Sequence, residues 1–173
     1  MSLSLEEAEV IARKYCQVEG LTWNNGSRIE KDSYYFFPIG YIGSSGVIID
    51  KRHGKLVVLG SGFKLEDQFW AYERGLIPGN VNLKILAINR ELKAVEKYIF
   101  RTLCDNKLPR NFRSLSLSNR RSLKKELKEE AKFKAENLPC ELKGVFLSFD
   151  MHWFQWVEEN SVFDYEVFEC DCT

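Results

Sequence analysis

The stretch Gly46-Val47-Ile48-Ile49-Asp50-Lys51-Arg52-His53-Gly54-Lys55-Leu56-Val57-Val58-Leu59 decides the fold class. Two apolar runs flank a four-residue connection that ends in glycine, the pattern of a β-hairpin. Asp50 can accept hydrogen bonds from the backbone just beyond it, and Gly54 can take the left-handed conformation that closes the loop. Gly60-Ser61-Gly62 follows, and then a short aromatic helix from Leu65 to Gly75 that carries Phe69, Trp70, Tyr72 and Glu73 and is stopped by that glycine.

Upstream, Ser4-Leu5-Glu6-Glu7 is a capping box, in which the serine hydroxyl and the Glu7 carboxylate each take a backbone amide. Leu5, Ala8, Ile11, Ala12, Tyr15 and Cys16 recur at helical spacing, so a helix runs to about Gln17 with one buried face. Leu21-Thr22-Trp23 reads as a short strand, and Tyr34-Tyr35-Phe36-Phe37 as a strand that Pro38 ends or places at an edge. Gly40, Gly43 and Gly46 are assigned to the loop before the hairpin.

Downstream, Ile77-Pro78-Gly79-Asn80 is a turn, and Val81 to Ala87 alternates like a half-buried strand. Asn89 is expected to cap a helix bearing Leu92, Val95, Ile99 and Leu103. Residues 105–117 read as irregular, and Ser122 to Asn137 as a charged helix with a thin stripe of Leu123, Leu127 and Ala131. Three strands of a meander are expected last, at Gly144–Phe149, His152–Val157 and Val162–Phe168. The sum is an α+β fold, mainly antiparallel sheet with packed helices. If the halves do not share a core, the division falls at Pro78-Gly79, giving a helix-plus-hairpin region 1–78 and a second region 79–173.

A chain of 173 residues, 45% hydrophobic and 13% aromatic, can bury a core without metal or disulfide support. Its formal net charge is zero, so neither nucleic acid nor anionic membrane is an expected partner. The absence of a spanning apolar run and of a leader pattern points to the cytoplasm. Cys16, Cys104, Cys140, Cys170 and Cys172 are then free thiols, and the terminal Cys-x-Cys lacks the second ligand pair a zinc site needs. No cofactor or metal is expected. Neither glycine-rich loop has phosphate-binding spacing. Of the two histidines, His53 belongs to the hairpin turn, and His152 is expected partly buried at a strand start; no local motif joins it to Cys140 as a catalytic pair.

Neutrality conceals segregation. Residues 101–128 hold nine Lys and Arg against Asp105 and Glu126, which reads as a solvated helix face or, alternatively, a phosphate-binding patch. Residues 141–173 hold eight Asp and Glu against Lys143, interleaved with Trp153, Trp156, Phe163, Tyr165 and Phe168. Such a segment suits a basic partner, with the aromatics as anchors. The alternative is that the acids lie beside the chain's own basic segment and the aromatics form the core.

The ordered set in the first half is a glycine loop at Gly43-Ser44-Ser45-Gly46, a hydrophobic strand ending in Asp50-Lys51, the turn Gly54, a second strand, and a helix with Tyr72-Glu73. It resembles the immunity protein 35 family over about residues 5–75. That family often has Asn and Pro where this chain has Ser44 to Gly46, and residues beyond Gly79 lie outside the likeness. The resemblance implies a bacterial, non-enzymatic inhibitor that occludes the active site of a cognate toxin, and the acidic segment suits a basic nuclease as that toxin. Two candidate contact surfaces follow: Trp153, Trp156, Glu158, Glu159, Asp164 and Tyr165 in one, and the turn at Asp50 with Trp70, Tyr72 and Glu73 in the other. The rival expectations are a chaperone-like or general interaction module, and a small-ligand-binding protein or enzyme.

Overall fold

The capping box starts helix α1 (Leu5–Val18), with the Ser4 amide donating to the Glu7 carboxylate at 2.8 Å and the Glu7 amide to the Ser4 hydroxyl at 3.3 Å. The computed structural model of the chain describes residues 2–24, 28–40, 43–77, 80–146 and 151–169. Among the described residues, five helices and nine strands in antiparallel sheets make the fold α+β. The chain divides into two compact units, Met1–Glu73 and Arg74–Thr173. Pro78 and Gly79, the division expected from the sequence, lie outside the described residues.

In the first unit α1 is followed by β1 (Thr22–Trp23), β2 (Ile29–Glu30), β3 (Tyr34–Phe37), β4 (Ile39–Gly40), β5 (Ser44–Asp50), β6 (Leu56–Gly60) and α2 (Leu65–Glu73). Strands β2-β3-β5-β6 form one antiparallel sheet, and β1 pairs with β4. Every residue of β3 is buried because both faces of the sheet are covered. Tyr35, Phe37, Val47 and Ile49 pack with Ala8, Ala12 and Cys16 of α1. On the opposite face, the Tyr34 and Phe36 rings meet Phe69 of α2 at 5.6 and 5.2 Å. An unbroken apolar run follows from burial on two sides, just as alternation follows from burial on one.

The hairpin forms as its turn chemistry requires. Asp50 Oδ1 accepts from the Arg52 and His53 amides at 2.9 and 2.7 Å, and Gly54, at φ +64°, donates to the Asp50 carbonyl. Gly46 is not in the preceding loop as expected. It lies within β5 at an irregularity in the pairing with β6, where φ is +149°. A Cβ there would collide with the Phe37 carbonyl and sit 2.6 Å from the Phe36 ring. Only glycine lets the strand pass this close to β3.

The second unit comprises β7 (Asn80–Ile88), α3 (Leu92–Lys107), a 3₁₀ turn at Phe112–Ser114, α4 (Leu117–Glu136), β8 (Cys140–Phe146), α5 (Met151–Glu159) and β9 (Phe163–Glu169). The sheet order is β8-β7-β9, all antiparallel. Leu83, Ile85 and Leu142 form a fully buried sheet face, and α3 packs against both α4 and β8.

Four expectations fail here. His152–Val157 is not a strand but most of α5: Met151, Phe154 and Val157, three residues apart, are its buried stripe. Aromatic residues favour strands locally, and burial at helical spacing overrides that preference. The meander is therefore replaced by two strands on either side of β7, and His152 is exposed rather than partly buried. Asn89 does not cap α3; its amide side chain donates to Asp164 at 3.3 Å, while the cap position is Glu91 in a left-handed conformation. Helix α4 begins five residues before the expected Ser122, because the Ser116 hydroxyl accepts from the Asn119 amide. Cys16 and Cys140 are buried and Cys104 is half-buried; Cys170 and Cys172 lie outside the described residues.

Candidate functional site

In the first unit the expected contact residues bind one another. Tyr34 is buried on β3 opposite Asp50 of β5, and its hydroxyl donates to Glu73 of α2 at 3.1 Å. The Tyr72 ring stands edge-on to Tyr34 at 4.9 Å, and its hydroxyl bonds to Asp50. Burial first, and then the Asp50 carboxylate, pushes the Tyr72 phenol up to about 12. Burial and Glu73 raise that of Tyr34 as well. Trp70 is half-buried on the same helix. Asp50 thus has three acceptor duties within this unit: two turn amides and a phenol. This is a clamp that fastens α2 to the hairpin, and it explains why an aspartate, a glycine and a Tyr-Glu pair occur in this order.

In the second unit the acidic and aromatic residues separate. Strand β9 alternates: Phe163 and Tyr165 turn toward α5, where the Phe154 ring meets them at 6.4 and 5.1 Å. Asp164, Glu166 and Phe168 occupy the other face and are exposed, Phe168 by 44%. On that face Lys84 of β7 is paired in register with Glu166 and with Glu141 of β8. Its ammonium is 3.9 Å from the Glu166 carboxylate. Glu159 is exposed at the end of α5. Glu158 is already engaged, taking Arg74 Nε at 2.8 Å and the Tyr165 hydroxyl at 2.8 Å. Burial, and then that carboxylate, raises the Tyr165 phenol above its ordinary value.

Trp153 and Trp156 lie elsewhere, in an open groove of about 630 Å³ between α5 and α3. Tyr98 and Trp153 stack there at 4.0 Å and 14°. Among the described residues, the charged ones along that groove are Lys97 and Arg101, both cations. The sequence reading therefore joins two surfaces of opposite charge character: a mainly acidic sheet face with Phe168, and an aromatic groove with a basic rim. It also passes over Tyr34, Tyr98, Lys97 and Arg101. A signal for the last three was present, since Ala94, Lys97, Tyr98, Arg101 and Cys104 form one stripe at helical spacing.

Burial raises the thiols of Cys16, Cys104 and Cys140, so they are not activated nucleophiles. Among the described residues, no group of three or more His, Cys, Asp and Glu stands where it could hold a metal ion. No helix among them is long and apolar enough to cross a membrane. No family model matches the chain, and neither does any curated protein or solved structure.

Proposed function

We propose that the protein is a non-enzymatic binding module of the toxin-immunity kind, acting in the cytoplasm on a cognate toxin with a cationic docking surface. The observation that carries the reading is the outward row Asp164, Glu166 and Phe168 on β9, with Glu159 exposed at the end of α5. Strand β9 is at the end of the order β8-β7-β9 and so offers an edge as well as a face. Acidic groups of this kind speed encounter with a basic cleft and disfavour acidic partners. Phe168 supplies the apolar anchor such a contact needs. The clamp joining Asp50, Tyr72, Tyr34 and Glu73 supports the family likeness as a shared way of building the hairpin region, and leaves those residues out of the contact.

Calorimetry against the purified product of the neighbouring gene tests this reading. The expected result is a single tight complex that suppresses the toxin's activity. The double variant Asp164→Lys/Glu166→Lys is expected to weaken that complex by about a hundredfold, because like charges then face each other. Unchanged affinity in the charge-reversed variant, or a neighbouring product that is no toxin and does not bind, overturns it.

A further inference from the structure

We propose that one face of α4 is a docking surface for double-stranded DNA, held through its phosphates without sequence preference. The face lies on different residues from the β9 row and does not rest on the function proposed above.

Arg121, Lys124, Lys125, Lys128 and Lys132 recur at i, i+3, i+4, i+7 and i+11, so they share one side of the helix. All five are exposed. The other side turns Leu127, Ala131 and Ala135 inward, and α4 packs on α3. The Lys124 ammonium lies 5.7 Å over the Phe112 ring, which sets the 3₁₀ turn and its exposed Arg113 beside the stripe. Lys132 faces Glu136 at 3.8 Å, and Glu129 borders the stripe. Among the described residues, no carboxylate pairs with Arg113, Arg121, Lys125 or Lys128.

This arrangement costs the fold stability. Arg121–Lys125, Lys124–Lys128 and Lys128–Lys132 set like charges four residues apart, which destabilises a helix. The first turn of α4 holds no acid to meet the helix dipole. The acids of β9 do not offset the stripe either. Asp164 and Glu166 stand on one face of the sheet, whereas Tyr165 on the other meets Phe154 of α5, which touches Tyr98 of α3. A bound polyanion relieves the repulsion that the chain itself leaves in place.

The chemistry of the stripe selects the polyanion. From Arg121 to Lys132 it runs about 16 Å at 1.5 Å per residue, the length of about five phosphates on one strand of a duplex. No apolar side chain interrupts it, so a protein partner finds no anchor and unstacked bases find no ring. The apolar side of α4 is buried, so the helix cannot lie in a membrane surface. The major groove of B-form DNA admits an α-helix, and the deep, narrow one of duplex RNA does not.

Fluorescence anisotropy of the full chain with a labelled DNA duplex, read between about 50 and 200 mM salt, tests the proposal. The expected Kd is about 1–100 μM near physiological salt, with a log–log salt slope of about −3.6 for four phosphates met by Arg113, Arg121, Lys125 and Lys128. Arg121→Gln/Lys125→Gln/Lys128→Gln should weaken binding at least about tenfold and make the slope shallower by about 2.7. Lys14→Gln/Arg52→Gln/Lys64→Gln removes the same charge from exposed positions of the first unit and should leave affinity and slope unchanged. All six side chains are exposed and glutamine is a good helix former, so both variants keep the fold. Equal losses in the two variants overturn the proposal, as does no binding up to about 100 μM at the lowest salt. So does duplex RNA, polyglutamate or a phosphatidylserine-containing vesicle bound as tightly as the DNA.

Discussion

Both units set an antiparallel sheet against helices, yet they use their carboxylates in different ways. In the first, Asp50 and Glu73 accept from Tyr72 and Tyr34 and from the turn amides, so the acids hold the fold together. In the second, Asp164 and Glu166 stand on the outer face of β9, while Phe163 and Tyr165 on its other face pack against Phe154 of α5. An acid that closes an internal hydrogen-bond set is committed to structure, whereas one on an exposed strand face is available to a partner. The residues that carry the resemblance and those of the contact surface we propose therefore differ.

The sharpest way to break this comparison is to remove the ring core of the second unit. Phe154 is fully buried and touches Tyr98, Trp153, Phe163 and Tyr165. Phe154→Ala should cost about 3–5 kcal/mol in denaturant unfolding, with amide-exchange protection lost first in β7 and β9. Loss confined to the first unit would show that the rings do not organise the second.

Gly46→Ala should come next, at about 3 kcal/mol, since it adds both left-handed strain and a collision with β3. Amide exchange in β3 and β5 reads the effect directly. Near-native stability would mean that β5 can relax away from Phe36 and Phe37. Asp50→Ala should then cost about 2 kcal/mol, because two turn amides and the Tyr72 hydroxyl lose their acceptor at once.

What was legible in the sequence follows the same division. The capping box, the strand Tyr34–Phe37 and the Asp50–Gly54 turn depend on contacts a few residues apart or on plain hydrophobicity, and each is where the residues place it, although β3 lies inside its sheet and not at an edge. Helix α5 was hidden because Trp153, Phe154 and Trp156 favour strands, and only their packing on Tyr98 and Phe163 selects the helix. The groove was hidden for a related reason. Its wall joins residues near 98 to residues near 153, and nothing local links them. The acidic row on β9 was half legible: its alternation was visible, but which parity faced outward was set by α5, the element misread.

Alkaline pH tests the phenol side of the comparison. Tyr72 titrates near 10 when unfolded and near 12 in the fold, so its contribution is complete below pH 10 and lost as pH rises toward 12. Tyr34 is raised by burial and then by the Glu73 carboxylate, and acts in the same direction. Denaturant stability should therefore fall with rising pH across that window, together with the appearance of phenolate absorbance. Tyr72→Phe should flatten the fall; an unchanged slope would show that Tyr72 is not shifted.

The smallest effect expected is the one that distinguishes an exposed acid from a structural one. Asp164→Asn/Glu166→Gln keeps the shape of β9 and removes two charges from its outer face. Lys84 is 3.9 Å from Glu166 with both side chains about half exposed, a separation and exposure at which an ion pair contributes little. The variant should stay within about 0.5 kcal/mol of the native protein. Its readout is the same denaturant curve used for Asp50→Ala, so the two acids of each unit are compared on one scale. A loss near that of Asp50→Ala would make the β9 acids part of the scaffold, since a side chain that the fold requires has little freedom to reorient toward a partner.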